Sequence, residues 1–177
     1  EFVEEFKSYH TYFVNKKEKA LLEEFCFGVK ANSKNCAGAK LNANIVGKPA
    51  AWIAEQAGFS VPEETNILAA ECEEVGPKEP LTREKLSPVI AVLKAEDTED
   101  GLTKARQMVE FNGLGHSAAI HTKDEELAKR FGTEIKAMRI IWNSPSTFGG
   151  IGDVYNAFIP SLTLGCGSYG RNSVGDN

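Results

Sequence analysis

The chain has few of the residues from which metal sites and disulfide frameworks are built. It holds four cysteines and three histidines in 177 residues. Cys26, Cys36, Cys72 and Cys166 form no C-x-x-C pair and stand beside no histidine, so a zinc centre is not expected. Free thiols are expected instead, which points to a reducing compartment and a cytoplasmic protein. No apolar run approaches the length that spans a bilayer, and no charged-then-apolar leader precedes a small-residue cleavage site, so a membrane is not an expected partner. Positive charge is also in deficit. A net charge of −5 argues against nucleic acid, whose phosphates require a cationic surface.

What is there is ordinary for a globular protein: 42% apolar and 25% charged residues, in a length that suits one domain or the better part of one. No repeat, low-complexity tract or linker interrupts it. The first residues, Glu1-Phe-Val-Glu-Glu-Phe-Lys7, begin inside an amphipathic helix pattern without a cap, so the chain reads as cut from a longer one.

The first third reads as helical. Phe2, Val3, Phe6 and Tyr9 make one apolar stripe, and Leu21, Leu22, Phe25 and Val29 make another. Asn15 is positioned to cap the second helix, with Glu18 three residues on as in a capping box. Ala50 to Ala57 predicts a short helix stopped by Gly58, and Asn66 to Ala70 is a short apolar run between turns. Pro88-Val-Ile-Ala-Val-Leu93 predicts a strand buried on both faces.

From there the pattern alternates. Asp97 to Phe111 predicts a helix, Ser117 to His121 a strand, Asp124 to Phe131 a helix ended by Gly132, and Met138 to Trp142 a third strand. Strand, helix, strand, helix, strand with short joints predicts right-handed crossovers and a parallel sheet. The glycine-dense loops Gly149 to Asp153 and Ser161 to Gly170 follow the last strand. Closely spaced glycines let backbone amides approach a ligand, and open α/β sheets bind ligands beyond the carboxyl ends of their strands.

Several residues could carry chemistry. His116, between Gly115 and Ser117, can move protons near neutral pH; the alternative is an inert histidine at a strand edge. Glu84, in Leu81-Thr-Arg-Glu-Lys-Leu-Ser-Pro88, could accept hydrogen bonds from ribose hydroxyls, or could be a solvated glutamate beside Arg83 and Lys85. Cys166 has the most nucleophile-like setting of the thiols, although a small side chain filling space beneath a loop is the better reading. Asn143-Ser-Pro-Ser-Thr147 could bind phosphate or cap a turn. Gly149-Gly-Ile-Gly152 lacks the spacing and the following helix of a dinucleotide fingerprint.

Leu41-Asn-Ala-Asn-Ile-Val-Gly47, Arg83-Glu-Lys-Leu-Ser-Pro88, Gly113-Leu-Gly-His-Ser117, Asn143-Ser-Pro-Ser146, Gly149-Gly-Ile-Gly-Asp-Val-Tyr-Asn156, Pro160 to Gly170 and Asn172-Ser173 occur in one order along the chain. By these motifs the whole chain resembles the CoA-acylating aldehyde dehydrogenase half of the bifunctional aldehyde-alcohol dehydrogenases of fermentative bacteria. The resemblance implies an α/β fold: a three-layer aldehyde-dehydrogenase-type catalytic domain with a mainly parallel sheet flanked by helices. It further implies a catalytic domain over 1–143 lacking its start. Residues 144–177 would then be glycine-rich active-site loops leading towards the cofactor and oligomerisation region.

It also implies an enzyme that interconverts acetyl-CoA and acetaldehyde with NAD, coenzyme A being co-substrate. A cysteine thiolate takes the acyl group as a thioester. In the family that nucleophile lies shortly before the helix that opens this chain, so the piece alone is expected to be inactive. By position His116 matches the acid-base histidine, Glu84 the glutamate that holds the nicotinamide ribose, and Leu164 a residue that touches the cofactor. Cys166 matches no nucleophile, and His10 and His121 match no role. Iron belongs to the alcohol dehydrogenase half, which is not part of this sequence. Two other readings are an assembly module of a homo-oligomer or filament, and an independent nucleotide-binding domain using the glycine loops.

Overall fold

A computed structural model describes residues 2–29, 39–112 and 115–147 together with residues 153, 157 and 160; of 112, 115 and 116 it describes the backbone alone. The chain divides into two compact units, Glu1–Glu96 and Asp97–Asn177. The fold is α/β, and every strand pairing among the named strands is parallel.

The first unit runs α1 (Phe2–Ser8), β1 (Thr11–Phe13), α2 (Lys16–Phe27), α3 (Ala50–Ala57), β2 (Ile67–Cys72) and β3 (Val89–Leu93), with short 3-10 turns at Ala43–Ile45 and Pro80–Thr82. The α2 helix starts where Asn15 predicts. Its Oδ1 accepts from the amides of Lys17 (2.9 Å) and Glu18 (3.0 Å), while Glu18 Oε2 accepts from the amide of Asn15 (2.9 Å). This capping box satisfies donors that the first turn cannot. Gly28 ends α2 and Gly58 ends α3, both in the left-handed conformation at φ 66 and φ 93, where a Cβ would strain the backbone.

The sheet order is β1-β2-β3, so β2 is central. Leu68, Ala69 and Ala70 are wholly buried there, and Val89 is the one buried residue of β3. The expectation of a β3 buried on both faces is corrected: its residues after Val89 are only partly buried, and β2 takes the buried place. The core joins Leu22 and Cys26 of α2, Ile53 and Ala54 of α3, Leu68 and Ala70 of β2, and Ile45 and Leu81 from the turns. Ala50, Ile53, Ala54 and Ala57 are the buried residues of α3, the spacing of one helical face. By contrast no residue of α1 is buried, and Phe2 and Phe6 stack on each other with ring centroids 4.4 Å apart.

The second unit runs α4 (Thr98–Asn112), β4 (Gly115–Ile120), α5 (Glu125–Glu134) and β5 (Ala137–Trp142). Here β4 and β5 pair in parallel, with Ser117 opposite Arg139 and Ile120 opposite Trp142. Leu102, Phe131, Ile135 and Ala137 form the core. Two sequence expectations are corrected. The β3 strand pairs with β2 and shares no sheet with β4 and β5 among the described residues, because periodicity reports a strand and not its partner. Gly132 does not end α5, which continues to Glu134 with Ile135 as its cap. Phe131 and Ile135 are both buried, and Glu134 pairs with Arg130 and Arg106, so the last turn is held from both sides.

Candidate functional site

The segment that carries Glu84 lies between β2 and β3 and is braced residue by residue. Gly76, at φ 139, donates its amide to Thr82 Oγ1 (3.2 Å), and Thr82 Oγ1 donates to the carbonyl of Glu79 (2.6 Å). Pro80, Leu81 and Thr82 are buried, which anchors the 3-10 turn before Arg83. The Arg83 backbone is extended (ψ 162), so successive side chains alternate in direction. The Arg83 guanidinium donates to the carbonyl of Ala39 and lies 5.7 Å from the centroid of the Phe27 ring. Glu84 is exposed, and Lys85 is buried. The Lys85 Nζ donates to the carbonyls of Leu81 and of Arg83, the latter at 2.8 Å. Next, Leu86 adopts φ 47, unusual for a side chain with a Cβ, and is 56% exposed.

Electrostatics follow burial. Desolvation brings the Lys85 ammonium down to about 8, against a smaller opposing pull that includes the Glu84 carboxylate. Burial pushes the thiols of Cys26 and Cys72 up to about 12. Both are therefore protonated at neutral pH and are not nucleophiles. Cys36 and Cys166 lie outside the described residues.

A second polar cluster secures the start of this segment. Lys19 Nζ pairs with Glu79 at 2.5 Å, their side chains only 18% and 13% exposed, and donates to the carbonyl of Glu71 at 2.9 Å. Burial pushes the nearby Glu23 carboxyl up to about 7, which Lys19 opposes and Glu79 reinforces. The cluster fastens α2 to the chain leaving β2. No sequence motif marks it.

In the second unit the backbone of His116 is the second position of β4, between Gly115 and Ser117, which pair with Ala137 and Arg139. Its side chain lies outside the described residues, as do Leu164 and the glycine loops at 149–152 and 161–170. Glu84 and His116 are thus each placed within their own unit. His10 and His121 are exposed. Asn143 is committed to a turn: at φ 52 it accepts from the Thr122 amide (2.9 Å) and donates to the Thr122 carbonyl (2.8 Å). Trp142 Nε1 donates to the same carbonyl at 2.9 Å. Of the two roles open to Asn143, turn-capping is the one its side chain performs. Arg139 is buried in β5, which no motif announced.

A cleft of about 520 Å³ lined by Phe25, Asn44, Val46, Lys48, Trp52 and Gln56 contains none of the candidate catalytic or cofactor-binding residues Glu84, His116 and Leu164. Among the described residues there is no cluster of histidine, cysteine and carboxylate side chains able to hold a metal, and no helix long and apolar enough to cross a membrane.

No protein-family model matches the chain. Among solved structures it is similar to an acetylating aldehyde dehydrogenase from Geobacillus thermoglucosidasius (TM-score 0.84, 39% identity), covering 99% of this chain and 36% of that one. It is also similar to a probable aldehyde dehydrogenase from Listeria monocytogenes (TM-score 0.85, 34% identity), covering 99% and 37%. The fold is therefore of the aldehyde dehydrogenase class. All 177 residues align at 88% identity with the aldehyde-alcohol dehydrogenase of Streptococcus pneumoniae. At 50% identity, 141 residues align with the bifunctional aldehyde-alcohol dehydrogenase of Escherichia coli. The chain belongs to the bifunctional aldehyde-alcohol dehydrogenase family, in its aldehyde dehydrogenase part, and spans about a fifth of the length of these curated relatives (20% and 16%).

Proposed function

We propose that these residues serve the NAD-dependent interconversion of acetyl-CoA and acetaldehyde within a longer aldehyde-alcohol dehydrogenase. In that reading Glu84 accepts hydrogen bonds from the nicotinamide ribose, Leu164 touches the cofactor and His116 is the acid-base group. Residues 1–143 are catalytic-domain chain and 144–177 the loops that return towards the cofactor. The attacking thiolate comes from chain preceding Glu1, so the piece alone turns over at background rate. The observation that carries the reading is the 88% identity with the Streptococcus pneumoniae protein over all 177 residues.

The Glu84 segment fits such a cofactor. A carboxylate held out to solvent on a braced loop can accept from two vicinal hydroxyls at little cost in side-chain or loop ordering. When bound, the nicotinamide supplies hydride acceptance and donation. This chain's part is to grip the ribose at Glu84 and to hold or release a proton at the imidazole of His116. Iron would concern only an alcohol dehydrogenase part. Acetaldehyde oxidation dependent on both CoA and NAD, measured on the full-length protein and on the 177-residue piece, tests the reading. Activity in the first and background in the second is expected. Robust turnover by the piece would remove the claim of a thiolate supplied from upstream.

A second reading makes the segment a contributor to a homo-oligomer or filament. It is favoured by α1, whose Phe2 is 57% exposed and none of whose residues is buried. Light scattering that finds a clean monomer would count against it.

A further inference from the structure

Lysine is among the residues least often buried, because its ammonium gives up hydration that only well-placed acceptors replace. Lys85 is 8% exposed, and its stem runs inward from a segment whose neighbour on one side, Glu84, faces solvent. Packing alone does not call for an amine here. A methionine of similar length would fill the volume without the desolvation. What the amine does is donate to two backbone carbonyls, those of Leu81 and Arg83, one from the buried 3-10 turn and one from the extended residue after it. Carbonyls turned inward without donors are costly, and a compact ammonium with three N–H groups can bridge two of them.

The two carbonyls straddle the backbone that leads into Glu84. On the far side Leu86 takes its left-handed turn, and its carbonyl accepts from the Gly47 amide at 3.4 Å. The peptide carrying Glu84 is thereby held from within at Leu81 and Arg83 and from beyond at Leu86. We infer that Lys85 is a positioning residue for cofactor binding: its buried amine ties the Leu81 and Arg83 carbonyls together and so fixes the direction in which Glu84 presents its carboxylate. The inference rests on Glu84 being the ribose-binding group. It adds the residue that makes that group rigid.

The test is a double-mutant cycle in the full-length protein that carries these residues, with kinetics in NAD, CoA and acetaldehyde. Glu84→Gln should raise KM for NAD about tenfold, as for loss of one charge-assisted hydrogen bond. Lys85→Met should raise KM for NAD about fivefold, with kcat and KM for CoA within about twofold of the parent. Because Lys85 acts through Glu84, the double variant should be no weaker for NAD than Glu84→Gln alone. Should Lys85→Met not melt cooperatively, Lys85→Gln, whose amide keeps two N–H donors on a shorter neutral stem, is read the same way with a smaller rise. If Glu84→Gln leaves KM for NAD unmoved, the ribose reading fails and the inference with it. If Glu84→Gln raises KM and the folded Lys85 variant does not, the ribose reading stands and the inference alone is overturned. It is likewise overturned if the two losses multiply in the double variant, or if kcat and every KM worsen together, which marks a purely structural lysine.

Discussion

The two units pair their charges differently. In the first, polar groups are carried inward: Lys85 ties backbone carbonyls, Thr82 closes a turn, and Lys19 and Glu79 pair with little solvent around them. In the second, Arg139 is buried in β5, and the paired charges lie on the helix surfaces. Arg130 forks onto Glu99 and reaches Glu134 on the next turn, and Lys136 meets Glu110, all with exposed or half-exposed side chains. Buried polar contacts fix geometry, and their loss leaves partners stranded. Exposed ion pairs do little of either. The difference teaches where precision is needed. The first unit spends desolvation on the segment that presents Glu84, while the second relies on a small apolar core beneath β4 and β5.

That contrast can be broken in order of effect size. Leu68→Ala, at the wholly buried second position of the first unit's central strand, should cost about 2–5 kcal/mol of stability by chemical denaturation. A smaller loss than for Leu102→Ala in the second unit would reverse the ranking of the two cores. His116→Ala in the full-length protein should lower turnover by about 10²-fold with the melting profile unchanged. Unaltered turnover would return His116 to an inert strand-edge histidine. Lys19→Met leaves Glu79 nearly buried without its cation and should cost about 2 kcal/mol, short of the full buried-pair figure because both side chains keep some water contact.

Acidity sharpens the comparison further. Glu23 has its folded value raised to about 7 from 4.5, so between these values the folded state holds a proton that the unfolded state has released. Its contribution is full below about 4.5 and is lost as pH rises towards 7. Lys85 is lowered to about 8 from 10.5, so in that window the unfolded state holds the extra proton and stability rises with pH. Denaturation midpoints of Glu23→Gln and Lys85→Met, each subtracted from the parent across pH, should show slopes of opposite sign in these two windows. Two flat difference curves would mean that neither group is as desolvated as its surroundings imply. The smallest effect belongs to the second unit: Glu99→Gln should leave the melting temperature almost unmoved, the more so in salt, because the pair it breaks is solvated.

Local chemistry made part of this legible in sequence. Asn15 with Glu18 and Ala57 with Gly58 mark helix ends through contacts a few residues apart, and the structure has both. Long-range pairing was not legible. Nothing in Thr11 to Phe13 distinguishes a three-residue strand from the end of a helix until β2 offers it a register. The same blindness put β3 with the wrong neighbours, and it let Gly132 pass for a stop when Phe131 and Ile135 carry the helix through. At the candidate site the spacing of Arg83, Glu84 and Lys85 made three surface charges as plausible as one. An extended backbone above a buried turn sends Lys85 inward, and that depends on tertiary structure. His116 was singled out because glycines flank it and because the motif around it resembles a known one. Arg139 had neither mark and went unnoticed.

The two buried sulfurs carry a practical consequence. With their acidities pushed up to about 12, Cys26 and Cys72 offer almost no thiolate to a maleimide or to iodoacetamide at neutral pH. A label that goes on quickly under native conditions therefore sits on neither of them. The folded core of the first unit is thus a silent background for alkylation.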